Sequence, residues 1–241
     1  MTDTPACLAD RVLVVMAKAP RAGRVKTRLS SKYPVTVIVE LYRCLLADTL
    51  TLGLSIPNTQ LAVMAPPEDL DEVAALLPAG VRGIAQHGTG LADALTSVFD
   101  TFTADRPRRV IAFNSDSPHL PASVLDDAFA VLLTHDLVAG PTEDGGYYLV
   151  GATAPHATLF DPCPLSTSGA LAALLANARS KNLTYRLTRE WFDVDVASDL
   201  ARLAAALRLN PSAAPRTAAH LRSWSDRAKS QVARVSGSDA P

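Results

Sequence analysis

The chain has 241 residues, 48% hydrophobic and 20% charged, with 23 basic against 24 acidic side chains and a formal net charge of -1. That length suits one large domain or a domain with a small appendage, and a near-neutral total argues against a nucleic-acid or membrane-surface partner. No apolar run approaches the ~20 residues that span a bilayer, and three scattered cysteines without a C-x-x-C exclude a disulfide framework. The opening "MTDTPACLAD" lacks the apolar core of a signal peptide, so a cytoplasmic location is expected.

In chain order, Val12 to Ala17 predicts a buried strand, being short, uncharged and β-branched. A basic loop follows, "KAPRAGRVKTR". Ile38, Leu41, Tyr42, Leu45, Leu46 and Leu50 then recur at helical spacing. "LAVMA" (Leu61 to Ala65) is a second strand, ended by Pro66 and Pro67. Leu70, Val73, Ala74 and Leu77 mark a short helix before Pro78 and Gly80. "VRGIAQHGTG" carries a strand into a glycine-rich loop, and Leu91, Leu95, Val98, Phe99 and Phe102 form an amphipathic helix.

"RVIAFNSDSPHLP" reads as a strand and a polar turn, with Pro121 as the first residue of a helix whose apolar face is Val124, Leu125, Ala128, Phe129 and Leu132. "DLVAGPTEDGGYYLVG" is strand, loop, strand. The second strand follows too closely for a helical crossover, so the sheet is mixed. A helix with a Ser or Thr cap lies in "LSTSGALAALLANARSKN", and a short strand spans Leu183 to Leu187. "WFDVDVASDLARLAAAL" gives an acidic strand end and a helix. The alternation predicts an α/β fold of three layers, α-β-α, around a mostly parallel mixed sheet. The main domain is set at 11–207, with 208–241 a helical extension and a disordered tail.

In open α/β sheets, ligands sit beyond the carboxyl ends of the strands. Five basic residues within eleven positions, Lys18, Arg21, Arg24, Lys26 and Arg28, follow the first strand. Although no P-loop pattern is present, Arg offers bidentate contacts to phosphate oxygens and Lys a point charge. Gly23 permits close backbone approach to an anion. Asp116 in "NSDSP" is the best candidate ligand for a hard divalent cation, which needs only one or two carboxylates beside phosphate and water. Asp193 and Asp195, alternate residues of an extended segment, could supply the second; a helix cap is the plainer role for Asp195. Glu143 and Asp144 before Gly145 and Gly146 suit either a ligand loop or a simple turn. His87, Gly88 and Gly90 are weaker candidates near a ligand. Cys44 sits on an apolar helix side and reads as packed.

"MAKAPRAGRVKTRLS", "LYRCLLADTL", "FNSDSPHLP", "GPTEDGGYYLVG" and "DVDVASDL" together resemble the bacterial DUF2064 family, of the GT-A-like nucleotide-diphospho-sugar transferase superfamily, over about Val12 to Leu207. The first loop is also distantly similar to those of phospholactate guanylyltransferases and molybdenum-cofactor nucleotidyltransferases. The resemblance implies a Rossmann-like GT-A fold with a nucleotide over the first strand ends and Mg2+ or Mn2+ near Asp116. It places Lys26, Arg28 and Asp116 as catalytic and Asp116 with Asp195 at the metal. Ala17, Lys18, Ala19, Gly23, Arg24, Gly88, Gly90 and Ser115 fall to nucleotide and phosphate, and Glu143, Asp144, Gly145 and Gly146 to the acceptor. Asn114, His119 and Leu165 depart from the family pattern, where Gly, an acidic residue and Trp are usual.

The expected partners are a nucleoside triphosphate or nucleotide sugar and a small-molecule acceptor, with neither nucleic acid nor membrane. The basic loop favours a long polyphosphate and hence nucleotidylyl transfer. Glycosyl transfer, or nucleotide or phosphometabolite binding without turnover, are the alternatives.

Overall fold

The computed structural model describes residues 10–106, 108–161 and 169–224. Strand β1 (Arg11–Met16) points Val12 and Val14 to one side of the sheet and Leu13 and Val15 to the other, all four fully buried. An uncharged run buried on both faces is what a central parallel strand requires. Six further strands follow: β2 (Thr59–Ala65), β3 (Arg82–Ala85), β4 (Arg109–Asn114), β5 (Leu137–Pro141), β6 (Tyr147–Ala152) and β7 (Tyr185–Leu187). Their order across the sheet is β3-β2-β1-β4-β6-β5-β7. β1 runs parallel to β2 and β4, while β6 is antiparallel to both β4 and β5. The five-residue turn between β5 and β6 allows no other pairing.

Helices α1 (Val35–Leu54), α2 (Leu70–Ala74) and α4 (Ala122–Val131) cover one face through Leu46, Leu50, Val73, Val124 and Leu125. Helices α3 (Gly90–Thr103) and α5 (Ala170–Ser180) cover the other through Leu95, Val98, Phe99 and Leu174. The predicted three-layer α/β architecture is thus present, a Rossmann-like GT-A arrangement. Pro121 stands at the N-cap of α4 rather than inside its first turn.

The structure adds an outer layer that the sequence pattern does not reveal. Helix α6 (Ala197–Leu209) and a helical segment over 215–224 pack on the far side of α1, where Ile38, Leu41 and Leu45 meet Leu200, Leu203, Leu207, Ala214 and Ala218. Asp48 of α1, almost wholly buried, accepts the backbone N–H groups of Arg216 at 3.2 Å and Thr217 at 2.8 Å. A carboxylate there satisfies donors that the start of a helix leaves open and meets its positive dipole end. The described part of the extension is therefore seated on the main domain. The tail beyond 224, the Ser and Thr cap candidates at 166–168, Leu165, Cys7 and Cys163 lie outside the described residues. Cys44 is half-buried, and burial pushes its thiol up, away from the reactive thiolate.

The acidic strand end expected at "FDVDV" is not a strand. Only Trp191 makes a bridge, to Thr142. The reason is where the next donors go: Val194 N–H bonds Asp116 O at 3.3 Å, so the segment crosses the end of β4 instead of extending the sheet.

Candidate functional site

The chain proceeds from β1 outward to β2 and β3, then returns to β4 on the opposite side of β1. The loops after β1 and β4 therefore diverge, leaving a crevice at the switch point, the favoured ligand position in such sheets. A cleft of about 840 Å3 opens there. Ten of the sequence-predicted residues line it: Ala17, Lys18, Arg24, Lys26, Arg28, Gly88, Gly90, Ser115, Asp116 and Asp195. Ala19 and Gly23 belong to the same loop but do not line it, nor do His87 and Asp193. Gly88 has φ +69, and a side chain there would collide with Asp93, whose carboxylate accepts the Thr89 N–H at 2.7 Å. Position 88 thus calls for glycine and offers bare backbone to the cleft.

The five basic residues divide into groups. Arg21 pairs with Asp69 at 3.0 Å and Glu72 at 2.8 Å, and Arg24 with Glu68 at 3.2 Å. Arg21 is therefore an anchor, which the sequence reading missed, holding the loop to the end of β2. Asp69 is fully buried, and its second oxygen accepts the Ala19 N–H at 3.0 Å. Tyr42, read from periodicity as apolar surface, has a second function. Its hydroxyl accepts the Lys18 N–H at 3.0 Å and lies 3.2 Å from Ser115 Oγ, tying the loop after β1 to the loop after β4.

Lys26 turns inward. Its backbone is left-handed, φ 47, a conformation a lysine adopts only when its surroundings hold it there. The side chain is 4% exposed, and Nζ lies 2.7 Å from Asp116 Oδ2 and 2.9 Å from Asp195 Oδ1. Burial by itself lowers such an amine's pKa, but the two carboxylates outweigh it and hold Lys26 above its ordinary value, charged throughout. Burial likewise opposes the charge on Asp195, and Lys26 overrides it, keeping that carboxyl below the usual range. Arg28 is half-exposed, its guanidinium 3.5 Å from Asp195.

Val196 stands at the N-cap of α6, and Asp199 in its first turn accepts the N–H groups of Asp195 at 3.0 Å and Val196 at 2.8 Å. Asp195 is thereby released from the capping role and faces the cleft. Among the described residues, no group of three or more His, Cys, Asp or Glu is arranged to hold a metal. Asp116 and Asp195 converge as a pair.

The hairpin turn does not join them. Glu143, Asp144, Gly145 and Gly146 do not line the cleft. Asp144 accepts from Thr142 Oγ1 at 2.6 Å and Gly146 N–H at 3.1 Å, while Glu143 pairs with Arg202 of α6 at 2.7 Å. Every polar partner here is local or structural, which fits the simple-turn alternative.

Buried His119 and half-buried Asp193 are expected to shape the acid response of the fold. His119 lies against Phe192 and Trp191, ring centroids 4.4 and 5.2 Å away, and neither of its nitrogens has a hydrogen-bond partner among the described residues. Burial, helped by the Arg202 charge, lowers its pKa from 6.5 to about 4. Stability tied to neutral His119 is full above pH 6.5 and is lost as pH falls toward 4. Asp193 behaves oppositely. Burial and the charges of Asp195 and Asp116 raise it from 3.8 to about 6. Its contribution is present below 3.8 and is lost as pH rises through 6. Each amounts to at most about 3 kcal/mol, so between pH 4 and 6 they offset one another. Relative to wild type, His119→Leu should make the melting temperature fall more steeply as pH rises through this window. Asp193→Asn should make it rise. Thermal melts from pH 4.5 to 7 check this, and parallel profiles for all three proteins would refute it.

The fold and cleft define the Rossmann-like GT-A class shared by nucleotide-diphospho-sugar transferases and nucleotidyltransferases. The model of the DUF2064 family, "Uncharacterized protein conserved in bacteria", matches residues 49–167, which bears out the resemblance over the span that holds "FNSDSPHLP" and "GPTEDGGYYLVG". A solved structure from Desulfovibrio desulfuricans G20, described as a "putative nucleotide-diphospho-sugar transferase", superposes with a TM-score of 0.81 at 26% identity, over 90% of this chain and 95% of its own. The 4-diphosphocytidyl-2C-methyl-D-erythritol synthase of Anaerococcus prevotii DSM 20548 shares the fold at TM-score 0.56 and 8% identity, over 83% and 97% of the two chains. A CMP:2-keto-3-deoxy-manno-octonic acid synthetase, solved with CTP, does so at 0.51 and 14%, over 83% and 99%. None of the curated proteins matches the chain by sequence. Among the described residues, no helix is long and apolar enough to cross a membrane.

Proposed function

We propose that this chain is a transferase that moves a nucleotidyl group from a nucleoside triphosphate to a small phosphate- or acid-bearing acceptor. The observation that carries this reading is the convergence of Lys26, Asp116 and Asp195 at the switch-point cleft. An acceptor oxygen attacks the α-phosphorus and forms the new P–O bond. The bond to the bridging oxygen breaks, and its electron pair leaves with pyrophosphate. An ionised phosphate or carboxylate acceptor has no proton to lose, so the site needs no general base. It needs positive charge set beside the transferred and departing groups. Lys26 and Arg28 supply it, with Lys18, Gly88 and Gly90 also lining the cleft.

The carboxylates of Asp116 and Asp195 fit a hard divalent cation. They come from distant parts of the chain onto one point, and that point already receives a positive group. When bound there, Mg2+ or Mn2+ supplies charge neutralisation at the phosphoryl oxygens of donor and leaving group. Tyr42 and Asp69 fix the loop that carries Lys26, so that little reorganisation is left for the reaction itself.

Glycosyl transfer from a nucleotide-diphospho-sugar is the second reading, favoured by the description of the Desulfovibrio structure. A thermal-shift panel of triphosphates and nucleotide sugars, with and without Mg2+ or Mn2+, separates the two. A ligand at ~100 times its dissociation constant stabilises the fold by about 2.7 kcal/mol, a rise of about 5–10 °C for a chain of this size. The expected result is a metal-dependent rise confined to one triphosphate. A larger rise with a nucleotide sugar transfers the assignment to glycosyl transfer, and no rise with any ligand overturns both.

A further inference from the structure

A point 2.7 Å from one carboxylate and 2.9 Å from another is a cation site, and the protein's own Lys26 ammonium fills it. This is no chance surface pair. The side chain is 4% exposed, and its backbone is held left-handed at φ 47, just before the turn Thr27–Leu29 whose Leu29 is fully buried. Lys26 nevertheless belongs to the basic loop that lines the cleft. A second cation approaching Asp116 and Asp195 meets like charge at the position it needs, an ammonium that is itself shielded from water and held by both carboxylates.

We infer that the free protein does not take up a divalent cation at Asp116 and Asp195. The cleft accepts the cation only together with a polyphosphate, whose oxygens draw Lys26 off the carboxylates and so open the pair. The ligand is then the cation–polyphosphate chelate, and cation and nucleotide bind with positive, reciprocal coupling. Arg28, half-exposed and 3.5 Å from Asp195, has the reach to stay with that carboxylate or turn to phosphate. This rests on the nucleotide reading above for the identity of the polyphosphate; the lysine occupying the carboxylate pair does not depend on it.

The test uses Mn2+ alone, followed by electron paramagnetic resonance, on wild type and Lys26→Met, which keeps the unbranched stem and removes the charge. Wild type should bind Mn2+ only in the millimolar range. Lys26→Met should bind it about tenfold more tightly or better, within the usual range of such couplings. Micromolar Mn2+ binding by wild type, or equal affinities in the two proteins, overturns the inference. Because Lys26→Met leaves two carboxylates unpaired and can fail to fold, the 15N resonance of the Lys26 ammonium in wild type provides a second measurement. It should stay in place under Mg2+ alone and move when Mg2+ is added with a triphosphate. Movement under Mg2+ alone overturns the inference while leaving the nucleotide thermal shift intact. Absence of any nucleotide effect, in resonance and thermal shift alike, overturns the function and the inference together.

Discussion

In Asp116→Asn, affinity for a triphosphate in magnesium is expected to fall about 100-fold, at the upper end of what disturbing a metal site costs. Affinity for the same triphosphate without metal should hold or rise. The opposite signs follow from the geometry. Asp116 stands just beyond the end of β4, with Oδ2 on the Lys26 ammonium. Asparagine keeps the size and removes the charge, taking away a ligand for a hard cation. Without metal, that same carboxylate only repels phosphate and holds Lys26 back from it. Neutralising it frees the lysine for the nucleotide. A purely structural role for Asp116 would weaken both affinities alike, and parallel losses in calorimetric titrations with and without magnesium would refute the assignment. Pyrophosphate release, measured with the triphosphate that the thermal panel identifies, should fall by about 10²–10³, the usual loss when one electrostatic stabiliser is removed.

Asp116 and Lys26 are visible in the sequence for a physical reason. A strand buried on both faces must read as a continuous apolar run, and ligand-facing groups must follow its carboxyl end. Hence Lys26 after β1 and Asp116 after β4 could be named without a structure. Asp195 could be named too, because its segment carries carboxylates at alternate positions. Other features were hidden by sequence distance. Arg21 reads as one more phosphate ligand until β2 is seen beside β1, which brings Asp69 onto it from 48 positions away. Tyr42 satisfies the apolar period of α1 with its ring, so nothing in the pattern reveals that its hydroxyl ties two loops. Glu143 suits a ligand loop as well as a turn, and its contact with Arg202, from 59 positions away, is not visible in the pattern. The outer layer escaped for a related reason. Ile38, Leu41 and Leu45 look like part of one apolar stripe, whereas α1 is covered on two sides.

The position of the basic loop should depend on Asp69, which does not line the cleft. Its carboxylate accepts the N–H of fully buried Ala19 through one oxygen and the Arg21 guanidinium through the other. In Asp69→Ala the Ala19 donor is left buried without a partner, which costs about 1–3 kcal/mol. The Arg21 pair adds little of its own, since that side chain is 44% exposed and screened by water. For a chain of this length the melting temperature should fall by about 3–10 °C. Nucleotide affinity should fall with it, because Ala19 and Arg21 fix the start of the segment that carries Lys26 into the site. Asp69→Asn distinguishes the two contributions. The amide oxygen still accepts the Ala19 N–H, so most of the melting temperature should return, whereas the charge that holds Arg21 does not. A melting temperature for Asp69→Ala within about 2 °C of wild type would mean that the loop is held elsewhere. In that case the left-handed turn at Lys26, rather than the anchor at the end of β2, sets where the ammonium stands.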